Sequence, residues 1–270
     1  MTDTNRTDTN RTDTNQTGHV NRDVRAAVFR PDDERLANAV ELLDALGADP
    51  VPDPMLAVEP TGRTPREDAD FAILTSTTGV ELVSEAGWDS GEATICAIGP
   101  TTAEALKTAG YTVEVVPEKY TSSGLVKILE EEVDGARVEI ARSDHGSNVL
   151  PEGLDAAGAY VHETVLYELV RPEGSGHSVE LAAEGKLDAV LFTSPLTVEH
   201  FLEAAEDRGL REETIAGLED AVVGVIGPPT RETAEGLGIQ VDLVPDEADF
   251  EVLATTVVEE AAPSYHGSDD

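Results

Sequence analysis

Lysine is nearly missing from this chain of 270 residues: only Lys107, Lys119, Lys127 and Lys186 occur. With arginine they make 18 basic side chains against 55 acidic ones, a formal charge of -37. That deficit argues against nucleic acid as a partner, because neutralising phosphates takes clustered Lys and Arg. Cysteine is as scarce. Cys96 stands alone in the apolar run Thr94 to Ile98, so there is no disulfide framework and the side chain reads as a buried strand residue. Aromatic residues are 4% of the chain while apolar residues are 40%, so the acid is spread over folded surfaces rather than gathered in a tail. No apolar run approaches the ~20 residues of a membrane span, and the amino terminus lacks a charged-then-apolar leader. A cytoplasmic protein with no membrane partner is expected.

The short catalytic signatures are missing too. There is no Gly-x-Ser-x-Gly turn, no phosphate loop ending in Gly-Lys-Ser/Thr, and no Gly-x-Gly-x-x-Gly after a strand. His19, His145, His162, His177, His200 and His266 show no metal-ligand spacing, so no metal site is expected. The excess of acid and the shortage of lysine point to a very salty cytosol, where screening over a few Å removes self-repulsion.

What the chain does contain is a duplication. The block DADFAILTSTTGVELV, from Asp68, returns as KLDAVLFTSPLTVEHF, from Lys186. ATICAIGPTTAEALKTAG, from Ala93, returns as AVVGVIGPPTRETAEGLG, from Ala221. Ser76 matches Ser194, Gly99 matches Gly227 and Pro117 matches Pro245, with one insertion of about ten residues between the copies, a length that loops tolerate. Short apolar runs at Phe71–Thr75, Thr94–Ile98, Thr112–Val116, Arg137–Ala141, Ala189–Thr193, Ala221–Ile226 and Gln240–Val244 alternate with helical spacing, the pattern of parallel sheets. The fold class predicted is therefore α/β: two similar lobes, each a parallel sheet flanked by helices, joined by a two-stranded ladder.

The lobes do not follow one another simply. A strand beginning at Arg25, then Leu36, Ala39, Val40, Leu43 and Leu46 at helical spacing with Gly47 as the stop, form a β-α unit with no duplicate beside it. We therefore expect residues 24–50 to fold with 172–262 as one lobe and 59–162 to form the other. Residues 51–58 and 163–171 would connect them. Residues 1–23, with their TDTNR repeats, and 263–270 are expected to be disordered.

Thr75-Ser76 and Thr193-Ser194 close strands and open helices, so their hydroxyls and the following amides converge on helix starts that attract carboxylate or phosphate. Ser and Thr are also ordinary N-caps, but the recurrence, with Gly99-Pro-Thr-Thr102 and Gly227-Pro-Pro-Thr230 in step, favours a ligand cleft between the lobes. Arg30 and Arg142 are the basic candidates for an anion. Tyr167 is the one aromatic in the proposed connection, and from the residues alone its role is open between packing and the cleft.

With Arg30-Pro31, Thr75 to Val80, Gly99 to Leu106, Ala109-Gly110, Pro117-Glu118, Thr121 to Leu125, Tyr167, Phe192 to Pro195 and Ile226 to Pro228 in this order, the chain resembles the uroporphyrinogen-III synthase family from about Arg25 to Glu260. It departs from the family pattern at Thr78, Asn148 and Pro229. The resemblance implies two α/β lobes whose first and last segments share a lobe. It also implies a lyase that closes linear hydroxymethylbilane with loss of water and inversion of the last pyrrole ring, serving haem, sirohaem and cobalamin synthesis. No cofactor is implied, and hydroxymethylbilane is the partner expected, bound by a monomer. On the same basis Tyr167 is the catalytic candidate, and Arg30, Ser76, Thr102, Ser122, Arg142, Ser194 and Thr230 are the substrate-binding candidates. Two other readings are a two-lobed module that closes on a small molecule without chemistry, and a synthase-like regulatory domain.

Overall fold

The computed structural model describes residues 24–262, so the two segments expected to be disordered lie outside the described residues. The chain opens with β1 (Val24–Val28), α1 (Glu34–Ala45), β2 (Ala48–Pro52) and β3 (Ala57–Pro60). It continues through β4 (Phe71–Leu74), α2 (Thr77–Glu85), β5 (Thr94–Ala97), α3 (Pro100–Thr108), α4 (Ser122–Leu129), β6 (Arg137–Ser143), α5 (Val149–Ala156) and β7 (Tyr160–Val170). The remainder comprises α6 (His177–Ala183), β8 (Ala189–Phe192), α7 (Pro195–Asp207), α8 (Arg211–Gly217), β9 (Val222–Val225), α9 (Pro228–Gly236) and α10 (Phe250–Ala261).

The first sheet has the order β2-β1-β8-β9, with every pairing parallel. β1 lies between β2 and β8 with apolar side chains packed on both faces of the sheet, and four of its five residues are buried. On one face Phe29, Phe192 and Phe201 form an aromatic cluster with centroids 4.8 to 5.5 Å apart. On the other, Leu36, Ala39 and Leu43 of α1 meet Leu253, Ala254 and Val257 of α10. Gly224 in β9 lets α10 come this close, since a Cβ there would meet Val257 Cγ2 at 2.3 Å. Each large apolar side chain buried in this way contributes roughly 1.5–3 kcal/mol.

The second sheet has the order β3-β7-β6-β4-β5. Its parallel strands are β7, β6, β4 and β5, and β3 runs antiparallel to β7 as the expected two-stranded ladder, so the sheet as a whole is mixed. The antiparallel ladder pairs Ala57–Pro60 with residues 170–167, a narrower stretch than the connecting segments read from the sequence. Val51 and Pro52 are held by β1, and residues 160–167 of β7 are held by β6. Thus β7 belongs to the second sheet and to the connection at once.

The strands expected at Thr112–Val116 and Gln240–Val244 contract to single bridges, Cys96 with Val115 and Gly224 with Leu243. The cause is the same in both copies. At each sheet edge a carboxylate takes an amide that a longer ladder would satisfy, Glu114 from Ile95 N–H and Asp242 from Val223 N–H, each at 2.8 Å. Cys96 is fully buried as expected, and burial pushes its thiol up to about 12.

In both sheets the parallel strands feed helices at their carboxyl edges. There α2, α3 and α5 begin on the second sheet, and α1, α7 and α9 on the first.

Candidate active site

Ser76 and Ser194 adopt the extended backbone of N-cap residues. Ser76 Oγ accepts the Gly79 N–H at 3.0 Å, and Ser194 Oγ accepts the Thr197 N–H at 3.3 Å within a capping box. The partner motifs are capped differently. Gly99 and Gly227 make no side-chain cap bond, and each is followed by Pro at the first helical position. Thr102 and Thr230 then sit in the first turns of α3 and α9, buried at 5% and 2% exposure. Ser122 opens α4 behind the Thr121 cap, whose hydroxyl accepts the Gly124 N–H at 3.1 Å.

Tyr167 reaches this edge by a local irregularity. The β6–β7 register shifts between Arg142, which pairs with Val165, and Ser143, which pairs with Tyr167, so Leu166 is an extra residue on β7. The bulge puts consecutive residues Leu166 and Tyr167 into one apolar cluster under α2 and α3, where strict alternation would send them to opposite faces. From there the Tyr167 hydroxyl donates to Ser76 Oγ at 3.0 Å. The Tyr167 ring is buried at 7% exposure and its hydroxyl has a partner, so the side chain packs and reaches the site edge at once. Ser76 is the hub: it accepts from Tyr167 and from the first turn of α2.

The basic candidates sit apart from that pair. Arg142 is buried, ion-paired with Glu163, and donates to the Ser147 carbonyl at 2.5 Å. Arg30 is half-buried, with its guanidinium 4.0 Å from the centre of the Phe250 ring, and its Nε is buried without a hydrogen-bond partner. Burial, with help from Arg35, lowers the pKa of Arg30.

A cleft of about 620 Å³ opens where α1 faces α2, and its lining residues are ones that sequence reasoning did not single out. Asp33, Glu34 and Arg35 line one side, Thr77, Thr78, Glu81 and Glu85 the other, with Val58 of β3 alongside. Arg35 is held by the Asp33 carboxylate, whose hydrogen bond raises the pKa of the guanidinium and lowers that of the acid. The cleft is walled by the helix that follows β1 of the first sheet and the helix that follows β4 of the second, and nothing local in the sequence pairs residues 33–35 with 77–85. Among the described residues no three His, Cys, Asp or Glu side chains gather as metal ligands would, and no helix is long and apolar enough to cross a membrane.

The profile of the uroporphyrinogen-III synthase HemD family matches residues 37–255. A protein of Methanothermobacter thermautotrophicus bearing that family's name is 37% identical over 229 residues, 79% of this chain and 89% of that one. The uroporphyrinogen-III synthase of Chlorobaculum parvum is 30% identical over 169 residues, 61% of this chain and 65% of that one. Among solved structures, a mutant uroporphyrinogen III synthase from Thermus thermophilus superposes with a TM-score of 0.62 at 22% identity, covering 88% of this chain and 98% of that one. At that identity the superposition speaks for the fold, and the sequence matches speak for the family.

Proposed function

We infer the function from one premise: the chain belongs to the uroporphyrinogen-III synthase family, whose profile spans both copies of the internal repeat. It is a lyase that cyclises hydroxymethylbilane with loss of water and inversion of the last pyrrole ring, in porphyrin biosynthesis. The profile match over residues 37–255 carries this conclusion, because it covers both lobes and the connection between them.

The chemistry assigned to Tyr167 is general acid help. Expelled by the pyrrole nitrogen lone pair, the terminal hydroxyl takes the phenol proton and leaves as water. The proton later lost by the attacked pyrrole carbon restores the phenol. In the free protein the phenol proton is held by Ser76 Oγ, and the leaving hydroxyl takes the place of Ser76 as its acceptor, beside the positive end of α2. Ser194, Thr102, Thr230 and Ser122 are proposed to offer hydroxyls or neighbouring amides to substrate carboxylates. Arg30 retains an unused Nε donor for the same task, and Arg142 acts only by exchanging Glu163 for substrate. Bringing the two ends of a linear chain together is itself worth several kcal/mol in favourable cases.

The lobe division belongs to the same reading: 24–50 with 172–262, and 59–162, connected through 51–58 and 163–171. It is supported by the β1 pairing with β8 and by the β3–β7 ladder. A monomer working in the cytoplasm of a halophilic archaeon is proposed from the charge of -37, since a substrate with many carboxylates approaches such a surface only under strong screening. The test is to supply hydroxymethylbilane and separate the uroporphyrinogen isomers. Isomer III supports the function; isomer I alone, the product of uncatalysed closure, refutes it.

A further inference from the structure

We propose that Tyr120 is a substrate-stacking residue, its exposed ring lying against one pyrrole of the bound substrate at the start of α3. The inference rests on the synthase reading above. In a chain this poor in aromatics, Tyr120 is 61% exposed in the loop that joins α3 to α4. That loop runs along β5 and ends at the carboxyl edge of the second sheet, where Tyr120 meets Gly99, the edge that also carries Ser76 and Tyr167.

Gly99 shows that the ring is placed there. Its φ of -166 is extended backbone open to any residue, so conformation does not call for glycine. What the position shows is closeness: a Cβ on Gly99 would lie 3.3 Å from Tyr120 Cβ, 3.6 Å from Cγ and 3.9 Å from Cδ1. The missing side chain lets the base of the tyrosine settle against the N-cap of α3.

The other copy of the repeat is an internal control. Thr121 caps α4 and Asp249 caps α10, so the counterpart of Tyr120 is Ala248. At Gly227, φ is again extended and nothing lies within 4 Å of where a Cβ would be. The motif folds without the aromatic in one lobe, so the aromatic in the other is not a requirement of the fold. A pyrrole bearing carboxylates needs a flat apolar face beside hydrogen-bond donors. Tyr120 supplies the face, next to a helix start whose N-cap makes no side-chain bond.

The experiment compares wild type, Tyr120→Ala and Tyr120→Phe, with Tyr160→Ala as the control. Tyr160, 71% exposed, starts β7 at the opposite edge of the same sheet. The readouts are KM for hydroxymethylbilane, the ratio of isomer III to isomer I, and Tm. Tyr120→Ala is expected to raise KM about five- to tenfold and to lower the isomer ratio, the loss of one stacking face. Tyr120→Phe and Tyr160→Ala should stay within about twofold of wild type, all with the same Tm, since both tyrosines are exposed. Unchanged KM and isomer ratio in Tyr120→Ala would overturn the proposal, as would Tyr120→Phe behaving like Tyr120→Ala. Wild-type protein giving isomer I alone would instead overturn the synthase reading beneath it.

Discussion

Tyr167 is buried yet shares its proton with a residue that already has another donor. Replacing it with Phe leaves Ser76 bonded to Gly79, so the fold should lose about 1 kcal/mol, the usual net worth of one hydrogen bond. Turnover should fall by roughly 10²-fold through loss of general acid help. Thermal melts and initial rates on one preparation separate the two effects; a rate within about twofold of wild type would assign the reaction to positioning alone. Tyr167 was legible as a candidate, but its orientation was not. The extra residue at Leu166 cannot be found by counting alternation, and the burial of the ring follows from it. Arg142 and Glu163 are likewise paired by the β6–β7 register, which local sequence does not reveal. Asp70 gives a pH test. Its hydrogen bonds from Arg137 bring its carboxyl from the ordinary 3.8 down to about 2. A pKa depressed on folding means stability that is present above the unfolded value and lost as pH falls toward the folded one. Asp70→Asn should therefore melt below wild type at neutral pH, and the gap should close between about pH 4 and about pH 2. A gap of constant size over that range would show that the pair adds nothing through ionisation.

At the scale of elements, helix starts were the most readable feature. Ser76 and Ser194 are N-caps as read, and Gly47, with φ of +81, follows α1 where the sequence places its stop. Those signals are local, made by one side chain and the next turn. The edge strands were misjudged because apolar alternation does not count ladder bonds, and Glu114 and Asp242 substitute for part of each ladder. Least readable was the clamp at the end of β2. Asp53, at 4% exposure, accepts Gly176 N–H at 2.9 Å, Ser178 N–H at 2.8 Å and the Ser178 hydroxyl, tying the first connection to the start of α6 across more than a hundred residues. Asp53→Ala strands these donors away from water and should cost about 3 kcal/mol in a denaturant titration. Loss of less than about 1 kcal/mol would mean that water or a neighbour replaces the carboxylate.

For the whole molecule, the duplication and the charge were both plain in the sequence, and the α/β class followed from the apolar runs that alternate with helices in each copy. What the sequence could not supply was the facing of α1 and α2 across the ladder, since that cleft is made by residues far apart in the chain. Its walls carry Asp33, Glu34, Glu81 and Glu85 against Arg35, and the whole chain stands at -37. Both Tm and turnover should therefore rise with salt up to molar concentration, as screening relieves carboxylate crowding and admits an anionic substrate. Rates independent of salt, on protein shown to stay folded, would remove the electrostatic part of this picture. Most direct of all is the isomer composition of the product when folded protein in molar salt is given hydroxymethylbilane. Isomer III in large excess over the background closure is expected; a product mixture indistinguishable from the protein-free reaction, all isomer I, would contradict the assignment.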